Sequence, residues 1–417
     1  MKFKLIGVGA AGNKAGITMI EKGTCDRSDV LLLNSTLKDI PLDYRDITVQ
    51  YTNARGGAGK ERDIAKMLCL QSIQDGDLDC LDKLVTDEDE LVIIVASAEG
   101  GTGSGSLPIL AKYYTQVLGK TVHCVVFTGF EEDSRGLQNT IELFQEMEDQ
   151  YTIQVISNKK FLDTYNNKLK AEKAANEELA KKISILVGRD IIASEQNIDE
   201  TDLYKSATTP GFMMIESASL DRIKNTNQFN QIVSDMIDNT YSLDCTDRSM
   251  KRLAIILNIS ERTQDIVDLQ VEAIKNKLGI PYEVFTHVQH DKTKPESISV
   301  IASGMNMPLD DVKDIYEKYK SQTEKMNTKK DGFFDFMQGI KKEDAKAEFL
   351  RNTFDISEPI QPKKEVSKIM EDKKDFANQF GVTLKRRTPV QQQTQESSDN
   401  DTSNQIHLTR ESYLNRF

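Results

Sequence analysis

Five short apolar runs between residues 3 and 157, FKLIGVG, DVLLLN, ELVIIVAS, TVHCVVF and YTIQVIS, alternate with segments whose apolar residues recur at helical spacing. Strands that are apolar on both faces belong to a sheet covered on both sides, and strands that alternate with helices pair in parallel through crossover connections. The intervening segments NKAGITMIEKG, KERDIAKMLCLQSIQ, SLPILAKYYTQVLG and LQNTIELFQEMED supply those helices. The pattern predicts an α/β chain that opens with a Rossmann-like domain over residues 1–161.

The 417 residues are more than one core usually holds, and the pattern continues. Residues 162–195 read as one central connecting helix containing KAEKAANEELAKKISIL; roughly 25 residues would span nearly 40 Å. GFMMIESA, RLAIILNIS, YEVFTHVQ and SISVIASGM are strand candidates, and TQDIVDLQVEAIKNKLG is a helix candidate, of a smaller α/β domain over 196–305. A C-terminal helix over 306–330 is opened by Pro308 with Asp310 and Asp311 in its first turn. The tail, 331–417, contains the low-complexity run QQQTQESSDNDTSNQ and is expected to be largely flexible.

No apolar run approaches the roughly 20 residues that cross a bilayer, so no membrane insertion is expected. The glycines and Asn13 near the start break any signal-peptide core, which points to the cytoplasm. Cys25, Cys69, Cys80, Cys124 and Cys245 lie far apart without a CxxC pair, and only four histidines accompany them. Reduced thiols are expected in place of a zinc site or disulfides. A net charge of −12 argues against broad direct nucleic-acid binding.

The first strand runs straight into Gly7-Val8-Gly9-Ala10-Ala11-Gly12-Asn13-Lys14 and then a helix, which aims backbone N–H groups at an anion. A dinucleotide site has the same opening. Its acidic ribose ligand would stand at the end of the second strand, where Asn34, Ser35 and Thr36 occur instead. The second loop, Ala98-Glu99-Gly100-Gly101-Thr102-Gly103-Ser104-Gly105-Ser106, packs glycines and hydroxyls into a nest suited to a triphosphate. No Walker loop ending in Gly-Lys-Ser/Thr is found.

GGTGSG, Gly100 to Gly105, resembles the signature loop of the tubulin/FtsZ superfamily, and further motifs follow in the same order over about residues 3–305. Gly9, Ala10, Ala11, Gly12, Asn13 and Lys14 match its first phosphate loop. Asn53-Ala54-Arg55-Gly56-Gly57-Ala58-Gly59 matches its γ-phosphate loop, and Glu131 with Arg135 its sugar loop. Asn158 matches its base-contacting Asn. Glu177, in AANEEL, matches an aspartate that reads guanine. A carboxylate there can accept from N1–H and the exocyclic amine of guanine, a donor pair adenine lacks; read alone, Glu177 is one charge on a solvated helix. The resemblance implies binding of GTP/GDP with Mg²⁺, which shares the phosphate charge and needs few protein ligands.

Asn197, Asp199 and Asp202 resemble the superfamily's Asn-x-Asp-x-x-Asp catalytic loop. Two carboxylates three apart on one helix face can orient water beside a phosphate. The same spacing is also that of a helix cap, with Asp199 at the N-cap and Asp202 at N3. The resemblance implies head-to-tail filaments of the chain with itself, GTP hydrolysis being completed where two subunits meet. Ala10 and Ala11, the run Gly59-Lys60-Glu61-Arg62 and the appended helix and tail resemble the plasmid and phage TubZ-like branch. That branch implies DNA partition through a DNA-bound adaptor, for which Lys385-Arg386-Arg387 and the terminal YLNRF are candidate tail contacts. A division-ring protein, a filament without hydrolysis and a non-polymerising Rossmann NAD oxidoreductase are the alternatives.

Overall fold

The structure, a computed structural model, describes residues 1–330 except 53, 55, 148–149, 190, 193, 195–197, 244–248 and 268–271. It is mixed α/β, as expected, built on one ten-stranded sheet. The strands are β1 (Phe3–Val8), β2 (Val30–Asn34), β3 (Thr48–Gln50), β4 (Leu91–Ser97), β5 (Val122–Thr128), β6 (Thr152–Ser157), β7 (Gly211–Ser219), β8 (Arg252–Asn258), β9 (Glu283–Gln289) and β10 (Ser297–Met305). Their order is β3-β2-β1-β4-β5-β6-β7-β10-β8-β9; β1 to β6 pair in parallel, and β10 runs antiparallel to both β7 and β8.

The helices are α1 (Gly9–Glu21), α2 (Arg62–Gln74), α3 (Cys80–Leu84), α4 (Gly101–Lys112), α5 (Ser134–Met147), α6 (Asn158–Tyr165), α7 (Lys168–Leu186), α8 (Glu200–Thr208), α9 (Thr226–Asp238), α10 (Glu261–Gln264), α11 (Glu272–Leu278) and α12 (Leu309–Lys330). Alternation along the strands sorts the core into two layers. Ile6 and Val8 of β1 face a cluster with α2, α4 and α5, whereas Leu5 faces one with α1 and α7. Full burial of each such side chain contributes roughly 1.5–3 kcal/mol. Among the described residues, no helix is long and apolar enough to cross a membrane.

Three features depart from the sequence reading. The short strand β3 has no counterpart in it. The expected single helix over 162–195 is two: α6 starts at Asn158, Asn166 turns left-handed with φ 49°, and the Asn167 side chain caps α7 by accepting from Lys170 N–H at 3.0 Å. Asparagine tolerates that backbone and caps well, so Asn166-Asn167 breaks a run whose apolar periodicity does not. The second strand set also continues the first sheet, because β7 pairs with β6 through Thr152↔Gly211, Ile153↔Phe212 and Gln154↔Met213. The helix expected over TQDIVDLQVEAIKNKLG appears as α10 and α11 on either side of residues 268–271, which lie outside the described residues, as do Cys245 and the tail, 331–417.

Candidate functional site

The loops that follow β1, β2, β3 and β4 converge beyond the C-terminal ends of their strands, the place where open α/β sheets bind ligands. Val8 is the extended N-cap of α1, and Gly9 takes φ 72° to turn directly into the helix. A Cβ on Gly12 would lie 2.1 Å from the Val95 carbonyl oxygen, so α1 seats against β4 only with glycine there. Gly103 is close as well: a Cβ on Gly9 would lie 3.0 Å from its amide nitrogen, which brings the first and second glycine loops into contact. A Cβ on Gly101 would lie 2.9 Å from the backbone of Lys60 and Glu61, joining the loop after β3. Ser35, just past β2, bonds Thr102 at 2.7 Å between their hydroxyls.

Both helices begin at this point without help from their own side chains. Neither α1 nor α4 has a side-chain cap bond or an acid in its first turn. Their first N–H groups and positive dipole ends therefore face the loop cluster, an arrangement that attracts phosphate. Buried Asn13 Oδ1, Asn34 Nδ2 and Asn158 Oδ1 have no hydrogen-bond partner among the described residues, although Asn13 Nδ2 donates to the Leu33 carbonyl at 3.2 Å. Buried polar atoms are normally paired, and these three sit in or beside the loops where a ligand's polar groups would pair them.

The helix α4 contains Pro108, which cannot donate to the Ser104 carbonyl four residues back. Arg62 takes that acceptor, its Nη2 donating at 3.2 Å, and is itself paired with Glu142 at 3.0 Å and Glu146 at 2.6 Å. A buried guanidinium thus repairs the helix that carries the GGTGSG loop.

The remaining sequence candidates separate. Gly57, Ala58 and Gly59 lie on the loop after β3, with Gly57 approaching Ser35, whereas Asn53 and Arg55 lie outside the described residues. Glu131 adopts φ 60° and pairs its carboxylate with Lys318 of α12. Arg135 is held by Glu61 and by the Lys60 carbonyl. Asn158 opens α6 and is buried.

Glu177 is not brought to the loops. It pairs with Lys22 at 2.8 Å, past the C-terminal end of α1, and its hydrogen bond to that ammonium holds the carboxyl below its ordinary range. Lys22 lies about 20 Å along the helix from Gly9. Here Glu177 borders a cleft of about 550 Å³ that also touches Ser184, Ser217, Asn258 and Gln289. Because α1 and α7 run side by side in the same direction, the carboxylate that lies nearer the start of α1 than Glu177 is Glu172, bonded to Lys14 in the second turn at 2.8 Å. Motif spacing places a residue on a helix, but only packing fixes which turn of its neighbour it meets.

Asp199 is the N-cap of α8. Its Oδ1 accepts from Asp202 N–H at 2.8 Å, while the Asp202 carboxylate accepts from Asp199 N–H at 3.5 Å, a reciprocal capping box. Asn197 lies outside the described residues. The N-terminal ammonium of Met1 donates to Glu200 of α8 at 3.1 Å and to the Val187 carbonyl at the end of α7 at 3.4 Å. The Asp199–Asp202 pair therefore sits beside the start of β1, and the phosphate-facing loops sit past its end. The six residues of β1 put about 20 Å between them. Among the described residues, no cluster of three His, Cys, Asp or Glu side chains is placed to hold a metal ion.

Residues 2–166 match the family described as Tubulin/FtsZ family, GTPase domain. The cell division protein FtsZ of Mycoplasmopsis pulmonis is 28% identical over 209 residues, covering 48% of this chain and 51% of that protein. The chain spans about half the length of the curated relatives it matches first. Among solved structures, TubZ of Clostridium botulinum phage c-st superposes with a TM-score of 0.62 at 20% identity, over 78% of this chain and 98% of that one. CetZ2 of Haloferax volcanii, as a GTPgS bound protofilament, gives a TM-score of 0.62 at 18% identity, over 78% and 100%. At these identities the structural likeness is one of fold.

Proposed function

We propose, from the match of residues 2–166 to the Tubulin/FtsZ family, GTPase domain, that this chain binds GTP in the loop cluster and assembles head to tail with copies of itself. In this reading Asp199 and Asp202 of one copy complete hydrolysis on the nucleotide of the next. The observation that carries it is the placement of the two sites at opposite ends of β1. Carboxylates about 20 Å from the loops cannot act on a phosphate in their own chain. Stacking one copy on the next along the strand direction brings them together, and such a heterologous contact grows into a filament.

A second feature supports self-contact. Ile280, Tyr282 and Val284 are 85%, 89% and 46% exposed where α11 turns into β9. Next to them, Lys205 of α8 lies 5.7 Å from the Phe285 ring centre, so the apolar residues flank the helix that Asp199 caps. Exposed apolar clusters of this kind mark association surfaces. Mg²⁺ accompanies the nucleotide in this proposal, carried on phosphate oxygens and water since the site offers few protein ligands, and it would neutralise charge on the β- and γ-phosphates. Within the family we assign the chain to plasmid or phage DNA partition, with the tail engaging a DNA-bound adaptor; the TubZ-like motifs and the fold likeness to a phage TubZ support that assignment.

The test is sedimentation of the purified full chain with GTP, GDP, ATP or NAD. Polymer is expected with GTP alone, and binding of NAD without polymer would overturn the reading in favour of an oxidoreductase. Base recognition is expected to follow the packing: Glu172→Ala should narrow the preference for GTP over ATP, whereas Glu177→Ala should leave it within about twofold of wild type. Competition binding with the two nucleotides checks this, and the reverse outcome would return guanine recognition to Glu177.

A further inference from the structure

A carboxylate in a phosphate-binding loop is electrostatically out of place, yet Glu99 stands immediately before Gly100, the N-cap of α4. Its side chain turns away from the helix start. Oε1 accepts the backbone N–H of Glu131 at 2.8 Å, and the stem fills a slot that two glycines leave open. A Cβ on Gly129 would lie 1.8 Å from the Glu99 carboxyl carbon, and one on Gly136 would lie 3.1 Å away. The Glu99 backbone is tied down as well: Asn139 Nδ2 donates to the Glu99 carbonyl at 3.1 Å and to the Lys60 carbonyl at 2.9 Å.

The bond to Glu131 falls on a strained point of the chain. Glu131 holds φ 60°, a left-handed backbone that costs a non-glycine residue roughly 1–3 kcal/mol and persists only where neighbours impose it. Glu99 is the side chain that reaches its N–H. Four residues on, Arg135 is fastened to Glu61 and Lys60, so the loop from 129 to 135 takes its shape from the phosphate loop at one end and the loop after β3 at the other.

We infer that Glu99 is a positioning residue for sugar recognition: from the phosphate loop it sets the backbone at Glu131, and thereby decides whether the loop can pair with the ribose hydroxyls of a nucleotide. The inference rests on the proposed GTP site and on the resemblance of Glu131 and Arg135 to the family's sugar loop. Burial pushes the Glu99 carboxyl above its ordinary range, and the Glu131 N–H opposes that shift by stabilising the carboxylate.

The experiment compares the affinities of the full chain for GTP and for 2′,3′-dideoxy-GTP. Wild type should prefer GTP by about tenfold or more, the worth of a hydrogen bond to a charged group. Glu99→Ala should weaken GTP about tenfold and leave the dideoxy analogue unchanged, so that the ratio falls to near one. Glu99→Gln keeps the acceptor and removes an anion from the neighbourhood of the triphosphate; it should keep the ratio and bind GTP at least as tightly as wild type. Glu99→Asp, one methylene too short to reach Glu131, carries the same expectation as Ala if the alanine variant does not fold. Equal weakening of both nucleotides by Ala or Asp, or a ratio near one in wild type, would overturn the inference and leave the GTP site standing. No binding of either nucleotide by wild type would instead overturn the functional reading on which it rests.

Discussion

Asp199→Asn and Asp202→Asn chains are expected to bind GTP with wild-type affinity and to assemble, while turnover falls about a hundredfold or more, the usual loss when a group that orients the attacking water is removed. Asparagine is the informative substitution because both side chains also cap α8. Alanine at position 199 removes the carboxylate and the cap together, and a lost cap alone costs about 1 kcal/mol. Asparagine still accepts the backbone N–H, so a turnover defect in Asp199→Asn cannot be charged to an unravelled helix. Phosphate release and light scattering on the same sample give both quantities. A split site also makes turnover per chain rise with protein concentration, and a small fraction of mutant chain slow wild-type filaments beyond its share. Turnover per chain that is flat with concentration would show the site to be complete in one molecule, and the two aspartates would then be capping residues alone.

The strand pattern was readable because the first five runs are apolar on both faces, and every one of the nine anticipated strands lies in the sheet. The glycine loops were readable for a related reason: Gly9, Gly12, Gly101 and Gly103 are demanded by backbone approaches near or under 3 Å, so their spacing records the geometry directly. What escaped the sequence depends on long-range packing. The β6–β7 pairing that makes one sheet of two strand sets involves three residue pairs across a long stretch of chain. The break at Asn166-Asn167 was open to recognition, since two asparagines in succession supply both a left-handed turn and a cap. Glu99 carried a signal too, an acid placed where a phosphate is expected, but its partner Glu131 could be named only from the fold. The direction in which α1 and α7 lie together, which separates Glu172 from Glu177, has no sequence signature.

The connection between α7 and the second strand set makes the other large prediction. Lys182, in the penultimate turn of α7, is buried with its ammonium 2.7 Å from the Glu216 carboxylate of β7, and both side chains are less than a tenth exposed. The Ile215 carbonyl also accepts from Lys182, and the Thr240 hydroxyl donates to Glu216, so the pair is well solvated by protein groups. Breaking such a pair from one side is costly because the survivor stays buried, Glu216 without its counter-charge and Lys182 with only the Glu178 carboxylate at 3.7 Å. Lys182→Met should therefore lose about 3–5 kcal/mol of stability, and Glu216→Leu less, because Glu178 remains beside the ammonium. The double variant Lys182→Met/Glu216→Leu removes both charges and should recover most of that loss, since a buried ion pair gains little over an apolar contact of similar volume. Urea denaturation of the four chains gives the coupling, provided each unfolds in one transition. Single variants within about 0.5 kcal/mol of wild type would mean that water reaches the pair. A double variant as unstable as the sum of the singles would mean that its worth lies in packing of the long side chains. If the double variant is stable but no longer assembles with GTP, the charges fix the set of α7 against β7, and that setting carries information from the loops at the start of α7 to the Asp199 cap just beyond its end.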